Sequence, residues 1–496
     1  LLSQKADPLV VEEGLSTLAL ARQQQSPAVE ALHFAFIAAV EKQPAAQGAL
    51  HVEGRVEVQD DPVKGRLLRA VEDHAAGAVI WEEDALFTMA QPRPAVCWLC
   101  DGPAHSPCPR LEAEFPIFTS WDAVAQMRQT GVAPEVLLLV RAALQLWRYP
   151  SDRFSLAWQL FVLPATEAMK HHAAEAFPLL PPELQAAFPE PRLLEILGFF
   201  LGNDHTHHLK DGRALYACAS LAEHNCRPTV NFSIDETGRL SAVALQPLAA
   251  GDPLAFSYVA RHQPRARRQA GLLQRYAFQC TCDRCNGPDD ARAFACDCGG
   301  AVLVDGGTVT VCLDCGKSMA DRLEELLAAE EDAAAAAAQG KLRVGQYALG
   351  PGTDLVPRAD PPLVLHRRHH LVYEALSARF AFASQMRDFA LSGKRALSVQ
   401  PKEIRAARAC AEGAVAALEA ALGDRPVDAA PVLALQAQME LALGDRKAAA
   451  DTFRKEGAVR VLRSGPGPLT ELARRCADQV PASIMEYWKM RASVGS

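Results

Sequence analysis

Seven of the fourteen cysteines, Cys280, Cys282, Cys285, Cys296, Cys298, Cys312 and Cys315, fall within 36 residues. They are spaced in C-x-C and C-x2-C steps, which let thiolates converge tetrahedrally on zinc. In a long chain with no secretory signal in the residues present, such spacing disfavours a disulfide framework. It implies a reducing compartment, cytoplasm and/or nucleus. Cys296-x-Cys298 and Cys312-x2-Cys315 flank Val302–Val311, which reads as a hairpin around Asp305-Gly306-Gly307, the pattern of a zinc ribbon. Four thiolates leave no open position on the metal, so such a centre would be structural or partner-binding. Cys97-x2-Cys100-x4-His105-x2-Cys108 could offer three thiolates and one imidazole to a third zinc, or be a plain loop. The clusters His205, His207, His208 and His366, His369, His370 read as solvated surface rather than metal sites. Cys218, Cys410 and Cys476 read as core residues.

These groups need elements to position them. The chain has 496 residues, enough for about three domains. With 49% hydrophobic and 22% charged residues it is ordinary globular material, which excludes wholesale disorder. A net charge of −8 argues against a nucleic-acid binder, which needs a basic surface to neutralise phosphates. No stretch approaches the ~20 apolar residues of a membrane span, since the richest, Val136–Val140 with Ala142–Trp147, is broken by Arg141. Residues Val29–Glu41 look like an amphipathic helix, and Gly65–Phe87 like short strands about a tight connection. Ser120 to about Phe200 follows helical spacing between prolines. Val230–Ile234, a turn at Asp235-Glu236-Thr237-Gly238 and Leu240–Leu245 read as a hairpin. Lys317–Lys341 and Val364–Leu443 look helical. Ala421-Leu422-Gly423-Asp424-Arg425 recurs as Ala442-Leu443-Gly444-Asp445-Arg446, each Gly-Asp pair ending one helix and starting the next. Such stacked helical hairpins are similar to tetratricopeptide (TPR) repeats.

The middle of the chain then reads as one unit. Ser220-Leu221-Ala222-Glu223-His224-Asn225-Cys226-Arg227-Pro228 precedes the hairpin, and Gly251-Asp252-Pro253-Leu254-Ala255-Phe256-Ser257-Tyr258 follows it. Arg267-Arg268, Leu272, Tyr276, Phe278 and Cys280-x-Cys282-x2-Cys285 come next. In that order and spacing the block resembles the SET lysine methyltransferases, most closely the SET and MYND domain (SMYD) branch. There a strand ends in Asn-His-Ser-Cys-x-Pro-Asn, a later one in Gly-Glu-Glu-x-x-x-x-Tyr, and a post-SET Cys-x-Cys-x2-Cys follows. Lys64-Gly65-Arg66-Leu67-Leu68-Arg69-Ala70-Val71 with Gly77 looks like the family's first S-adenosylmethionine loop. Leu363–Leu376 is similar to the start of its carboxy-terminal helices.

The resemblance implies an α+β chain with SET-domain β-sheets, a helical insert, a zinc-binding post-SET segment and a C-terminal TPR-like helical domain. Its divisions are an N-terminal helical segment 1–54, the first part of the SET domain 55–96 and a degenerate MYND-like loop 97–115. The helical insert 116–202, core SET domain 203–260, post-SET segment with ribbon 261–317 and helical domain 318–496 follow. It implies S-adenosylmethionine-dependent methylation of a lysine side chain of a protein, histone or not. Such in-line transfer to a neutral amine depends on positioning and a dehydrated channel. Of the two catalytic candidates, Tyr258 would orient the amine or the methyl group, and Tyr276 would wall the lysine channel. Lys64, Gly65, Arg66, Asn203, Glu223, His224, Tyr258 and Phe278 would hold the cofactor, with His205 and Phe256 in the substrate channel. Carried over, the first zinc takes Cys226, Cys280, Cys282 and Cys285, and Cys296, Cys298, Cys312 and Cys315 take the second.

The chain departs from the family at four positions. Glu223 replaces Asn, Leu67 a loop glycine, His205 an aromatic residue and Thr229 the closing Asn. These departures support a second reading, an inactive SET scaffold that binds protein partners. A peptide or chaperone partner for the C-terminal helices, no membrane and no nucleic acid complete the expectations.

Overall fold

The computed structural model describes residues 11–12, 15–16, 55–61, 65–90, 132–148, 162–207, 212–235, 238–338, 347–349, 355–357, 365–375, 401–423 and 426–494. Sheets and helices occur in separate runs, so the chain is α+β. It divides into two compact units: residues 1–69, 81–222 and 234–241 form the first, and 70–80, 223–233 and 242–496 the second. Among the described residues no helix is long and apolar enough to cross a membrane.

The first unit opens with two minimal strands, β1 (Val11–Glu12) and β2 (Leu15–Ser16), which pair antiparallel. The region expected to be a helix, Val29–Glu41, lies outside the described residues. Strands β3 (Val56–Asp61) and β4 (Gly65–Ala70) form a two-stranded sheet, and β5 (Val79–Glu83) is shared between the units. A second sheet runs β6-β8-β7, with β8 (Gly212–Leu215) central between β6 (Phe87–Ala90) and β7 (Asp204–His207), antiparallel to both. Helices α1 (Pro134–Arg148), α2 (Glu167–Ala176), α3 (Pro182–Ala187) and α4 (Glu190–Asn203) make the helical layer. Prolines begin α1, α3 and α4 where the missing N–H costs nothing. In α4, Leu193, Ile196, Leu197 and Phe200 recur at helical spacing and are buried. Phe200 meets Phe87 of β6 edge-to-face at 5.2 Å, which fastens helix to sheet.

In the second unit, β9 (Glu223–His224) pairs in parallel with β12 (Ala255–Phe256). Between them in sequence lies the hairpin β10 (Val230–Ile234) and β11 (Leu240–Ala244), as the alternation predicts. β11 continues the sheet into β5, Ala244 donating to Ala78 and accepting from Gly77. Helices α5 (Arg265–Tyr276) and α6 (Asp283–Asn286) flank Cys280 and Cys282, and α6 carries Cys285. A small antiparallel sheet β13-β14-β15 (Ala293–Ala295, Ala301–Asp305, Thr308–Val309) carries the second, its turn made by Gly306 and Gly307 with φ of 54° and 94°. Phe294, Val302 and Val304 of this sheet share one apolar core with the helices that follow, α7 (Leu323–Ala338), α8 (Pro401–Leu422) and α9 (Ala430–Ala442). Further on, α10 (Arg446–Ser464), α11 (Pro468–Asp478) and α12 (Ile484–Ser493) close around Phe453 and Tyr487. Gly423 and Gly444 end their helices with φ of 67° and 78°, and Asp445 caps α10 by accepting from the Ala448 amide. Asp424 lies outside the described residues.

Candidate active site and metal centres

The parallel pairing of β9 and β12 sets Glu223 opposite Ala255 and His224 opposite Phe256. Thr229 knits the start of β12, its hydroxyl donating to Pro253 and accepting from the Ala255 amide, both at 2.8 Å. At the end of β12 the Tyr258 amide donates to His224 Nδ1 at 3.0 Å. Helix α5 brings a second ring. It ends at Ala277, the non-glycine residue with positive φ (58°) among those described, whose left-handed turn reverses the chain between Tyr276 and Phe278. The rings therefore converge. Tyr258 lies 4.8 Å from Tyr276 and 5.2 Å from His224, while Phe278 lies 6.0 Å from His224 and 6.4 Å from Tyr276. Burial, with Tyr276 and Glu223 adding to it, pushes the Tyr258 hydroxyl above its ordinary range, so it stays protonated at neutral pH. Phe256 stacks instead on Phe232 at 4.5 Å.

The sulfurs of Cys226, Cys280, Cys282 and Cys285 share an apolar cluster with these rings and lie within 4.8 Å of one another. Cys226 and Cys285 are 3.5 Å apart, far longer than a disulfide and close to the about 3.8 Å edge of a tetrahedral zinc–thiolate centre. The donor set fits zinc. Gln269 pins Cys280 by exchanging two hydrogen bonds with its backbone, at 2.6 and 2.8 Å. Two arginines brace the centre, neither marked as functional by the sequence reading. Arg268 is fully buried, donates to the Gln263 carbonyl and sits 3.9 Å from the Cys285 sulfur. Its charge offsets the negative charge that four thiolates leave on a bound divalent ion. Arg284 grips Asp290 through Nε and Nη2 and donates from Nη1 to the Arg261 carbonyl.

The ribbon cysteines pair across their two knuckles, Cys296 with Cys315 at 3.7 Å and Cys298 with Cys312 at 3.5 Å. All four sulfurs lie within 4.8 Å, again a set that fits zinc. Cys298 and Cys315 are exposed, so this centre faces water on one side. A Cβ on Gly300 would stand 2.8 Å from the Cys312 sulfur, which explains the glycine there.

With that geometry in view, three curated proteins resemble the chain. A SET and MYND domain-containing protein of Dictyostelium discoideum is 32% identical over 75 residues, 15% of this chain and 14% of that one. Another from the same organism is 31% identical over 80 residues, 16% and 20% of the two. The histone-lysine N-methyltransferase SET5 of Vanderwaltozyma polyspora is 30% identical over 87 residues, 17% of each. Over these stretches the chain is similar to SMYD-like SET proteins. The matched stretches span a fifth or less of those relatives' length, and no family model matches. Solved structures of the SET domain of LSMT bound to lysine and AdoHcy, and of Rubisco LSMT bound to AdoMet, are 13% and 15% identical. They cover 91% and 88% of this chain and 96% and 93% of theirs, with TM-scores of 0.28 and 0.26, too low to define a common fold.

The structure groups the remaining residues of the SMYD-like pattern as follows. Glu223, His224, Tyr258, Tyr276 and Phe278 lie in the second unit with both thiolate sets; Gly65, Arg66, Asn203 and His205 lie in the first. Lys64 and the set Cys97, Cys100, His105, Cys108 lie outside the described residues. Leu67 occupies regular strand β4, buried, without the positive φ that a loop glycine would supply. Asn203 ends α4, buried, and donates to the Phe199 carbonyl at 2.6 Å. His205 belongs to β7, half-buried rather than solvated, and lies 5.6 Å from Tyr216.

The second histidine cluster corrects the expectation of a solvated surface. His369 is fully buried, His370 nearly so, and both face Glu330, at 3.2 and 3.9 Å. Burial alone would raise the Glu330 carboxyl, but hydrogen bonds from His369 and Arg292 outweigh it and hold it at about 2. The two imidazoles pack beside a carboxylate that is ion-paired with Arg292. Arg292 already grips the carboxylate through its Nε at 2.9 Å, and His369 Nδ1 accepts from the Leu371 amide. Cys218 and Cys476 are buried, as core residues should be.

Proposed function

We propose that this SMYD-like protein transfers a methyl group from S-adenosylmethionine to a lysine side chain of a protein substrate. The observation that carries the reading is the cluster of His224, Tyr258, Tyr276 and Phe278, packed against the Cys226–Cys285 thiolates. S-adenosylmethionine would supply an electrophilic methyl group. The residues would supply position. A ring-walled site strips water from an incoming lysine and lowers its pKa toward the neutral, nucleophilic amine. Because the Tyr258 hydroxyl keeps its proton, it acts as a hydrogen-bonding guide rather than as a base. Glu223 would accept from the cofactor's ammonium, and Phe278 would offer a ring face. Lys64, Gly65, Arg66 and Asn203 keep their cofactor assignment, and His205 and Phe256 their channel assignment, on the family pattern. The two four-thiolate sets would hold zinc as structural centres, since neither leaves a ligand position open. The helices beyond 318 are read as a TPR-like peptide-binding domain, and the compartment as cytoplasm and/or nucleus.

Calorimetric titration of S-adenosylmethionine into the zinc-loaded chain tests the reading. Binding should survive Tyr258→Phe and change with Glu223→Ala, whereas methyl transfer to lysine-bearing proteins should fall about 10²-fold or more with Tyr258→Phe. No detectable binding by a folded, zinc-replete chain would overturn it in favour of an inactive scaffold.

A further inference from the structure

The geometry assigns His224 as a positioning residue that ties the first thiolate centre to Tyr258, its two ring nitrogens serving opposite ends. Nδ1 accepts the Tyr258 amide proton at 3.0 Å. Only an unprotonated ring nitrogen can accept, so in the neutral imidazole the proton sits on Nε2. Nε2 stands 3.4 Å from the Cys226 sulfur. That is a donor aimed at a sulfur acceptor, within the range of an N–H···S bond. A nitrogen that carries its proton has no lone pair for a metal, so His224 does not displace a thiolate as fifth ligand. It stands one shell out, where it steadies a thiolate and fixes the ring.

The consequence runs in both directions. A metal on the four sulfurs keeps Cys226 a thiolate, which favours a donor on Nε2. That proton leaves Nδ1 free to hold the Tyr258 amide at the end of β12. The ring also lies 6.0 Å from Phe278, so one imidazole borders the cluster while bonded to the metal shell. Zinc held by the four thiolates would thereby favour the tautomer that holds Tyr258. The role given to Tyr258 rests on the methyl-transfer reading above; the tautomer and the bond to sulfur do not.

Two isosteric variants separate the ends, because an Asn amide superposes on Nδ1 and a Gln amide on Nε2. In a Cys312→Ser background, which leaves the first centre as the metal site, zinc affinity is read by chelator competition. His224→Asn should weaken zinc about 10- to 100-fold, and His224→Gln should restore most of the loss. The order should reverse for S-adenosylmethionine binding, His224→Asn retaining it better than His224→Gln. In the unmutated chain loaded with ¹¹³Cd, histidine ¹⁵N spectra should show His224 protonated on Nε2 and scalar-coupled to the metal. A proton on Nδ1, or equal zinc affinity in all three proteins, would overturn the assignment. If the tautomer and zinc pattern hold but no protein binds S-adenosylmethionine, the assignment stands and the methyl-transfer reading alone falls.

Discussion

Acid should loosen the seam between the small sheet β13-β14-β15 and residues 365–375, by an amount that follows from two imidazoles, His370 buried and His366 half-buried. Burial, reinforced by Arg367 and Arg368 and opposed by Asp314, lowers His366 from 6.5 to about 4. Burial, with His369 and Arg267 adding to it and Glu374 opposing, lowers His370 to about 4 as well. A folded pKa below the unfolded value means that the unfolded chain binds more protons between the two. The stability is therefore complete above about pH 6.5 and is lost as pH falls toward about 4. At about pH 5 each ring forfeits about 2 kcal/mol, together about 4 kcal/mol or three decades of equilibrium constant. Glu330 acts later: its carboxyl is held at about 2, so its share drains only below about pH 4.5. Hydrogen exchange at the seam reads this directly, since the His366 amide donates to Ala293 and the His370 amide to Ala291. In zinc-replete protein, protection at these amides, corrected for intrinsic rate, should fall by about three decades from about pH 7.5 to about pH 5. The double variant His366→Gln/His370→Gln should flatten that slope. An equal slope in both proteins, with zinc still bound, would refute the argument.

Gly77 has φ of 82°, and a Cβ there would strike the Val461 methyl. Gly77→Ala should lower stability by about 2–4 kcal/mol, measured as a shift in the urea midpoint; a neutral result would mean the chain there relaxes freely. Zinc content by elemental analysis should drop from two ions per chain to one in Cys312→Ser, and Cys226→Ser should do the same while also loosening the aromatic cluster. Retention of both ions by Cys312→Ser would show that the ribbon does not hold one.

Much of this chain could be read without coordinates because its chemistry is locally encoded. The C-x-C and C-x2-C steps place sulfurs on one knuckle whatever the rest of the chain does, so both thiolate blocks were visible. The Gly306-Gly307 turn and the Gly444-Asp445 helix junction depend on a few neighbouring dihedrals and are likewise visible. Cys226 was accessible only through family resemblance, since it meets Cys285 across 59 residues. Other contacts left no local trace. Nothing near Arg268 says that its guanidinium will lie beside a sulfur, and His369 looks like surface until Arg292 and Glu330, 38 residues apart, close over it. Ala277 is the sharpest case. An alanine carries no signal for a left-handed turn, and packing of the flanking Tyr276 and Phe278 against the cluster accompanies that conformation. Residue order alone specified which ligands and rings were on hand and how neighbours were spaced. The tertiary structure decided which distant groups were buried together, because burial is what shifts a histidine, orients an imidazole and holds a strained backbone in place.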